Sequence, residues 1–387
     1  MNFKFGIEHE VAFLGPDGQF ADFENTSFET FESIVQQLPT YEQDYPQLRI
    51  GDAGIKRKRW YVEGFERFDE TGEVIDCPPK GIEIRTTVHN SIEGAVRELK
   101  ESFRLPRAET ERMGFTPALI SFHPFKAQFI PVPALNTFEQ ARRQESPEMQ
   151  TAHIPMLTQG PDINLSATGL TPNQLIDIGR KLTYYSPFIV PFSYSAPFYK
   201  GHIWSGLSAR TFYRTGARPA AMVFLEHESD LIVSEPSLTQ IARIPAEVGR
   251  IEFKAFDSCG DFDLYASLCA LLKGLVMDET LPGRCTLPDT AWHQRSAQVG
   301  FADNEIYDQA QRVMTAARQA LTLAEQLTVC SLLVPLENML RQRTSPAQQM
   351  TAAYKRGVSI EQILIEGYKQ EQTARGLRAD VGAMTNL

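Results

Sequence analysis

The sequence predicts an α+β protein in which a mainly antiparallel sheet carries helices on its outer face. Three segments, residues 5–13, 82–88 and 251–255, alternate apolar and polar side chains with the period of two that a β-strand imposes. Longer segments, most of them in the last third of the chain, are predicted to be helical. Hydrophobic residues make up 42% of the chain and charged residues 22%, which is typical of a globular protein with a sizeable core.

The first predicted strand places two carboxylates on one of its faces. In the run from Phe5 to Phe13, Glu8 and Glu10 point to the same side as Lys4 and Gly6, whereas the alternate residues are mostly apolar. One face of this strand is therefore expected to join a core, and the other to form a charged floor.

Further predicted strands repeat this arrangement. Glu83 and Arg85 share a face in one of them, Glu252 and Lys254 do so in another, and residues 162–166 are a milder copy. Glu63, on a strand over residues 60–67, is a weaker candidate. Acidic groups that face one another repel unless a cation lies between them, and carboxylate oxygens are preferred ligands of Mg²⁺.

The alternative for any single strand is an ordinary antiparallel sheet with one solvated face. Because a glutamate recurs in three strands, and Arg or Lys follows two residues later in two of them, the pattern favours a metal site on the sheet. Such a site would also bind phosphate or carboxylate oxygens.

The helical predictions rest on periodicity and capping residues. Asn90 stands three residues before Glu93 at the start of a helix over 92–103, and Thr171 with Pro172 and Gln174 starts another that reaches about residue 185. The other predicted helices cover residues 28–38, 261–277, 304–326, 330–343 and 360–372, whereas residues 140–153 give few signals of either type.

Two other residue types near the strands are assigned structural roles. His9 lies on the apolar face of its strand and is predicted to be a hydrogen-bonded core histidine rather than a ligand. Cys259 follows the Glu252 strand, but no neighbouring base would lower the pKa of its thiol, so an inert thiol is predicted.

Composition restricts the class of partner and compartment. The net charge of -10 argues against nucleic-acid and anionic-membrane partners, and five widely spaced cysteines argue against a disulfide framework or a zinc site. A strand begins almost at the N-terminus and no apolar run approaches the length of a bilayer, so a cytoplasmic protein is expected. We expect one domain over residues 1–387, with a sheet-bearing core to about 275 and a helical part from about 276.

Several motifs follow one another along the chain: Gly6-Ile-Glu-His-Glu10, Gly81-Ile-Glu-Ile-Arg-Thr86, Gln159 to Ser166, Ser195-Ala-Pro-Phe198, Ser205-Gly-Leu-Ser-Ala-Arg210, Arg214-Thr-Gly216 and Arg250-Ile-Glu-Phe-Lys254. Taken together and in this order, they resemble the glutamate–cysteine ligase superfamily, whose members share the catalytic fold of glutamine synthetase. The plant-type branch is the closer analogue, because this chain has Asp162 and Asn164 where many bacterial relatives carry histidines. Lys254 likewise stands where an arginine is common.

The resemblance implies a strongly curved sheet, an ATP-dependent ligase reaction and a set of site residues. Mg²⁺ would be held by Glu8, Glu10, Glu63, Glu83 and Glu252. Catalytic cations would be Arg85, Arg210 and Lys254, while Asn164, Ser166, Arg214 and Lys254 would bind the nucleotide. Residues 203–216 carry Arg210 and Arg214 in a Gly- and Ser-rich setting and are predicted to form a loop that suits anion recognition. Trp204 and Phe212, beside these arginines, would either pack in the core or stack on a ligand.

The implied reaction is formation of γ-glutamylcysteine from glutamate and cysteine, through γ-glutamyl phosphate. Two alternatives stay open at this point: a ligase that uses another amine or amino acid, and a non-catalytic homologue that binds nucleotide or amino acid. The expected partners are small molecules, and the oligomeric state, a homodimer included, is left open.

Overall fold

The structure is a computed structural model that describes residues 1–51 and 54–368. Its strands are β1 (Phe3–Leu14), β2 (Phe20–Ala21), β3 (Trp60–Gly64), β4 (Arg67–Phe68), β5 (Val74–Asp76), β6 (Pro79–Arg85), β7 (Thr116–Ala118), β8 (Asp162–Ala167), β9 (Phe198–Tyr199), β10 (His202–Ile203), β11 (Ala221–Leu225), β12 (Thr239–Ile241) and β13 (Ile251–Phe253).

The α-helices of the same residues are α1 (Phe28–Gln37), α2 (Ile92–Arg112), α3 (Thr137–Arg142), α4 (Pro147–Gln150), α5 (Pro172–Ile189), α6 (Ala209–Arg214), α7 (Phe262–Met277), α8 (Thr290–Val299), α9 (Asn304–Leu323), α10 (Leu327–Ser331), α11 (Val334–Gln342), α12 (Pro346–Lys355) and α13 (Ile360–Glu366). Among the residues described, no helix is both long enough and apolar enough to cross a membrane.

The main sheet is curled and almost wholly antiparallel, which confirms the predicted α+β fold class. Its strands follow the order β12-β11-β13-β8-β1-β6-β3, and β2 and β7 pair with the far end of β1. The pairing of β11 with β12 is parallel, and the other pairings in this sheet are antiparallel. The strand with the two glutamates, β1, therefore lies between β6 and β8, where both of its edges are hydrogen-bonded.

Helices cover the outer face of the sheet, because the apolar residues of the strands point there. Phe5, Ile7, Val11 and Phe13 of β1 are buried in the main hydrophobic core. Helix α7 packs between α2 and α9, and α5 packs against β11 and α9. The opposite, concave face of the sheet is thereby left for charged side chains.

His9 is part of this core, as its place on the apolar face predicts. Its ring is fully buried and lies 2.8 Å from the hydroxyl oxygens of Tyr265 and Tyr368, one at each ring nitrogen. Burial lowers the pKa of His9 to about 3, so the ring is neutral at physiological pH. The Cys259 thiol is also buried, and burial raises its pKa well above the usual range.

Several helix boundaries differ from the predictions. The cap of α2 is Ser91, whose hydroxyl oxygen accepts a hydrogen bond from the Gly94 amide, so the assignment to Asn90 is wrong. Helix α2 also continues through Pro106 to Arg112. The capping box at Thr171 is present, but α5 extends to Ile189.

Short helices account for most of the remaining differences. The polar stretch 140–153 contains the end of α3 and all of α4, and the segment predicted as an arginine-bearing loop contains α6, capped by Ser208. Residues 330–343 contain the end of α10 and all of α11, with a break between them, instead of one helix. The last predicted helix is observed from Ile360 to Glu366, and its residues 369–372 lie outside the described part of the chain.

Gly81 interrupts the alternation of β6 and changes the direction of the preceding side chain. Its φ is +152°, the pairing of β3 with β6 shifts register beside it, and a Cβ at Gly81 would lie 2.1 Å from the carbonyl oxygen of Val11. In regular alternation Lys80 would face away from Glu83. Instead both line the concave side of the sheet.

We expect Gly81→Ala to lower the free energy of unfolding by about 2 kcal/mol or more, because the added methyl group would overlap backbone atoms that side-chain rotation cannot move. Gly169→Ala is the matched control, since Gly169 has a φ of +84° but open space around its Cβ position. Gly169→Ala should lower the free energy of unfolding by only about 1 kcal/mol. Urea unfolding measures both, and equal costs would contradict the steric role of Gly81.

Candidate active site

The concave face of the sheet forms a cavity of about 570 Å³ whose lining is mostly charged. Its acidic residues are Glu8, Glu10, Glu63, Glu83, Glu145, Glu148, Asp162, Glu247 and Glu252, and its basic residues are Arg49, Lys80, Arg142, Arg210, Arg214, Arg218, Arg243, Arg250 and Lys254. All five glutamates that the sequence predicts as metal ligands thus line one cavity.

A second cavity of about 470 Å³ adjoins the first and shares Glu8, Arg49, Glu247 and Arg250 with it. Its other lining residues include the apolar Leu48, Val88 and Val248 together with Arg85, Asn164 and Ser166. The two cavities are therefore parts of one trough along the sheet, one part strongly charged and the other mixed.

Glu10, Glu63 and Glu83 form an acidic cluster in the lining of the larger cavity, with one carboxylate oxygen from each lying within 4.8 Å of the others. Glu10 and Glu83 are direct partners in the pairing of β1 with β6, a position at which like charges destabilise a sheet. Burial, followed by the charges of Glu63, Glu8 and Glu10, raises the pKa of Glu83 well above its usual range. Burial also raises the pKa of Glu63, against the opposing charge of Lys80.

The acidic cluster fits a hard divalent cation. Three buried or half-buried carboxylates converge, and in the part of the chain that the structure describes no cationic side chain forms an ion pair with Glu63 or Glu83. Glu10, by contrast, accepts a hydrogen bond from the Lys80 ammonium at 2.6 Å and another from the Gly160 amide at 2.8 Å. A cation that contacts Glu63 and Glu83 would relieve their repulsion.

A second acidic group, made of Glu8, Asp162 and Glu252, is held by cations of the chain itself. The Lys254 ammonium bonds both Asp162 and Glu252, and Arg250 forms an ion pair with Glu252 at 2.9 Å. Burial would raise the pKa of Glu252, but Lys254 and Arg250 lower it to about 2. Burial and the charge of Glu252, opposed by Lys254, raise the pKa of Asp162 to about 7.

Asn164 adds a neutral oxygen beside this second group. It pairs with Glu252 across β8 and β13, and its amide nitrogen lies 3.3 Å from a carboxylate oxygen of Glu8. Its amide oxygen is buried and has no hydrogen-bond partner among the described residues. A buried orphan acceptor next to Glu8 and Glu252 fits a second cation ligand.

Three arginines from one segment reach into the larger cavity. Arg210 and Arg214 lie on α6, and Arg218 follows four residues later. Arg214 is 6% exposed and donates to the carbonyl oxygen of Pro219, while Arg218 donates to the Glu148 carbonyl and the Thr151 hydroxyl. No carboxylate of the described residues pairs with Arg214 or Arg218, so these two can neutralise a bound anion.

Arg210 is buried, and its guanidinium is held in place by several contacts. Its guanidinium donates to the carbonyl oxygens of Lys254 and Ala255, and it lies 3.8 Å from a carboxylate oxygen of Asp257. A Cβ at Gly160 would lie 2.2 Å from its Nη2. The absence of a side chain at Gly160 therefore makes room for the guanidinium.

Arg85 lies in the smaller cavity, separate from the three arginines. It pairs with Glu8 across the sheet, stacks at 5.0 Å over the Tyr61 ring, and donates to the backbone carbonyl oxygens of Arg49, Lys56 and Lys58. These bonds hold the Lys56–Lys58 segment to the sheet. Trp204 and Phe212 pack edge to face against each other, with ring centroids 5.2 Å apart, and line neither cavity.

Sequence reasoning missed six basic residues of the larger cavity: Arg49, Lys80, Arg142, Arg218, Arg243 and Arg250. Arg250 stands two residues before Glu252, so strand alternation could have placed it on the same face. Arg218 continues the spacing of Arg210 and Arg214, which was a weak signal. Lys80 does not follow the strand alternation, because the conformation of Gly81 changes the direction of its side chain. Arg49 lies in an irregular segment, and no local sequence pattern predicts its position.

Comparison with solved structures shows which known fold this is. A bifunctional glutathione synthetase from Pasteurella multocida superposes with a TM-score of 0.59 at 12% identity, over 96% of this chain and 52% of that one. Glutamate–cysteine ligase from Francisella tularensis, in complex with AMP, superposes with a TM-score of 0.53 at 11% identity, over 96% of this chain and 88% of that one. The chain thus spans about half the length of the Pasteurella structure.

The predicted resemblance is confirmed for the fold: the chain has the fold of these two ligases. No protein-family model matches the sequence, and a search of curated proteins finds no match. At 11–12% identity the likeness carries the fold alone, so the activity has to be argued from the site.

We expect Glu83→Gln to stabilise the metal-free protein at neutral pH. Because the pKa of Glu83 is higher in the folded than in the unfolded protein, ionisation of Glu83 at neutral pH lowers the free energy of unfolding. Below the pKa of the unfolded protein, Glu83 is protonated in both states and this destabilisation disappears. The gain in unfolding free energy should therefore be on the order of 1 kcal/mol at pH 8 and vanish near pH 4. Added Mg²⁺ should stabilise the wild type more than the variant.

Glu148→Gln is the control for this prediction. Glu148 lines the same cavity, but its two carboxylate oxygens accept hydrogen bonds from the amide and the hydroxyl of Ser237. Replacing one of these oxygens by an amide nitrogen removes an acceptor, so the substitution should destabilise the protein with or without Mg²⁺. Thermal melts over the pH range compare the three proteins. A Glu83→Gln protein that is less stable than the wild type in metal-free buffer at pH 8 would contradict the repulsion.

Proposed function

We propose that this chain is an ATP-dependent ligase that joins the γ-carboxylate of glutamate to the amine of cysteine. The observation that carries the proposal is the shared trough: two acidic groups that fit cations, and three arginines that fit anions, face each other on the concave side of a sheet with this fold. Cations beside carboxylates and anion-binding arginines are what phosphoryl transfer to a carboxylate requires.

Two groups of residues are proposed to bind Mg²⁺. One is the acidic cluster of Glu10, Glu63 and Glu83, and the other consists of Glu8, Glu252 and the amide oxygen of Asn164. Mg²⁺ held by these residues would supply positive charge that offsets the negative charge developing during phosphoryl transfer. The carboxylates themselves act by holding their positions on paired strands, so that little reorganisation is needed.

The smaller cavity is the proposed nucleotide site. Leu48, Val88 and Val248 supply apolar surface for a base, whereas Arg85, Asn164 and Ser166 supply polar groups in the same cavity, which shares Glu8 with the larger one. A nucleotide placed there would direct its phosphates to the boundary that both cavities share. The Lys254 ammonium, already bonded to Asp162 and Glu252, would face the transferred phosphoryl group from the larger cavity.

The three arginines are proposed to bind the carboxylates of the amino-acid substrates. Arg210 is fixed by backbone carbonyls, and Arg214 and Arg218 form no ion pair with a carboxylate of the described residues. One carboxylate belongs to glutamate. The remaining arginine charge favours an acceptor that carries a carboxylate of its own, such as cysteine, over ammonia or an alkylamine.

The chemistry needs no nucleophile from the protein. A γ-carboxylate oxygen attacks the terminal phosphorus of ATP and ADP leaves, which gives an acyl phosphate. The acceptor nitrogen then attacks the acyl carbon, phosphate leaves with the bonding electrons, and the nitrogen loses a proton. The Cys259 thiol, buried and outside both cavities, takes no part.

The direct test is ADP release by the purified chain with ATP, Mg²⁺ and glutamate, while the acceptor is varied. Release should depend on glutamate and acceptor together, and kcat/KM should be at least tenfold higher for cysteine than for ethylamine or ammonia, since the loss of one charged contact costs about 1.4 kcal/mol or more. Mass spectrometry of the product should show the dipeptide.

Glu8→Gln should reduce turnover by about 10²-fold or more. ADP release by a contaminating ATPase would not respond to this substitution, so the variant serves as the control. Nucleotide binding without any acceptor-dependent ADP release would refute the ligase and favour the non-catalytic alternative. Equal rates with ethylamine and cysteine would instead refute the proposed acceptor class.

A further inference from the structure

Lys80 is a fully buried cation inside the acidic cluster. Its side chain is 3% exposed, and its ammonium nitrogen lies 2.6 Å from a carboxylate oxygen of Glu10, 2.9 Å from the carbonyl oxygen of Thr158 and 3.0 Å from that of Pro155. An ammonium has three N–H donors, and these three contacts use all of them. Lys80 is therefore fixed in place, with its charge directed at Glu10.

The charges of the cluster do not balance without a further cation. The three carboxylates, when ionised, carry three negative charges, and Lys80 is the cation in direct contact with them among the described residues. Arg49 acts on Glu63 and Glu83 through its charge alone, without an ion-pair contact to either. The remaining two negative charges at the cluster correspond to one divalent ion.

The contacts of Glu10 also restrict where such an ion can bind. One of its oxygens receives the Lys80 ammonium and the other the Gly160 amide at 2.8 Å. Glu63 and Glu83 have no such cationic or amide partner among the described residues. An ion in the cluster would thus be held mainly by Glu63 and Glu83, with a lone pair of Glu10 completing the set.

We propose that Lys80 serves as a built-in monovalent cation of the acidic cluster, which limits the cluster to a single divalent ion and holds Glu10 against residues 155–160. This inference rests on the metal site of the proposed function. It also connects the cluster to the arginines, because Gly160, which donates to Glu10, is the residue that makes room for the Arg210 guanidinium.

The test is a Mn²⁺ titration without nucleotide, followed by the electron paramagnetic resonance signal of free Mn²⁺, on the wild type and on Lys80→Met. Removing a positive charge so near the ion should tighten Mn²⁺ binding about tenfold or add a second bound ion. The metal-free variant should melt lower than the wild type, and Mn²⁺ should restore most of the difference. Adding Glu83→Gln to Lys80→Met should abolish the gain in affinity.

Two variants serve as controls. Lys181→Met also removes a buried lysine, whose ammonium bonds the carbonyl oxygen of Asp278 away from both cavities, so its melting temperature should respond to Mn²⁺ as the wild type does. Lys80→Arg keeps the charge and should keep the wild-type Mn²⁺ affinity. Lys80→Gln removes the charge while retaining a hydrogen-bond donor for Glu10, and it replaces the methionine variant in the comparison if that variant does not fold.

Three results would overturn the inference. Equal Mn²⁺ affinity in the wild type and Lys80→Met would make Lys80 a structural tether only, and leave the proposed function untouched. If Lys80→Arg and Lys80→Met both bind Mn²⁺ more weakly than the wild type and to the same degree, the shape of the lysine side chain matters and its charge does not. A wild-type protein that binds no Mn²⁺ would remove the metal site itself, and this inference with it.

Discussion

The architecture depends on a repulsion: the central strand of the sheet places carboxylates opposite other carboxylates. Glu10 faces Glu83 across β1 and β6, and Glu8 faces Asp162 across β1 and β8. Like charges at such positions destabilise a sheet by up to about 1 kcal/mol each, and more where they are buried. The chain offsets part of this cost with Lys80, Lys254 and Arg250. The repulsion between Glu63 and Glu83 is not offset by an ion pair with any described residue, so a cation bound there would stabilise the fold.

The rest of the fold keeps these charges together and excludes other conformations of the strands. Helices on the outer face bury the apolar side of β1, which fixes its register, since a slip by one residue would turn Glu8 and Glu10 into the core. On the concave side, residues 155–160 touch both the acidic cluster and Arg210. The cation-binding and anion-binding parts of the trough therefore share a physical connection.

Strand alternation alone was enough to predict the acidic floor, because that rule is local and the strands are regular where the glutamates stand. It failed at Lys80, since the positive φ of Gly81 and the register shift beside it turn this side chain toward Glu10. Arg210 was predicted as a site residue in a loop and lies on a short helix, whose formation depends on the Ser208 cap. Arg49 comes from an irregular segment, and only the tertiary fold brings it to the sheet.

The central claim is that the acidic cluster holds a divalent cation, and anomalous diffraction from crystals grown with Mn²⁺ and a non-hydrolysable ATP analogue tests it most directly. The account predicts an anomalous peak between Glu10, Glu63 and Glu83, at about 2.0–2.3 Å from carboxylate oxygens of Glu63 and Glu83. Peaks confined to the protein surface, with nucleotide bound in the trough and no peak at this cluster, would contradict it.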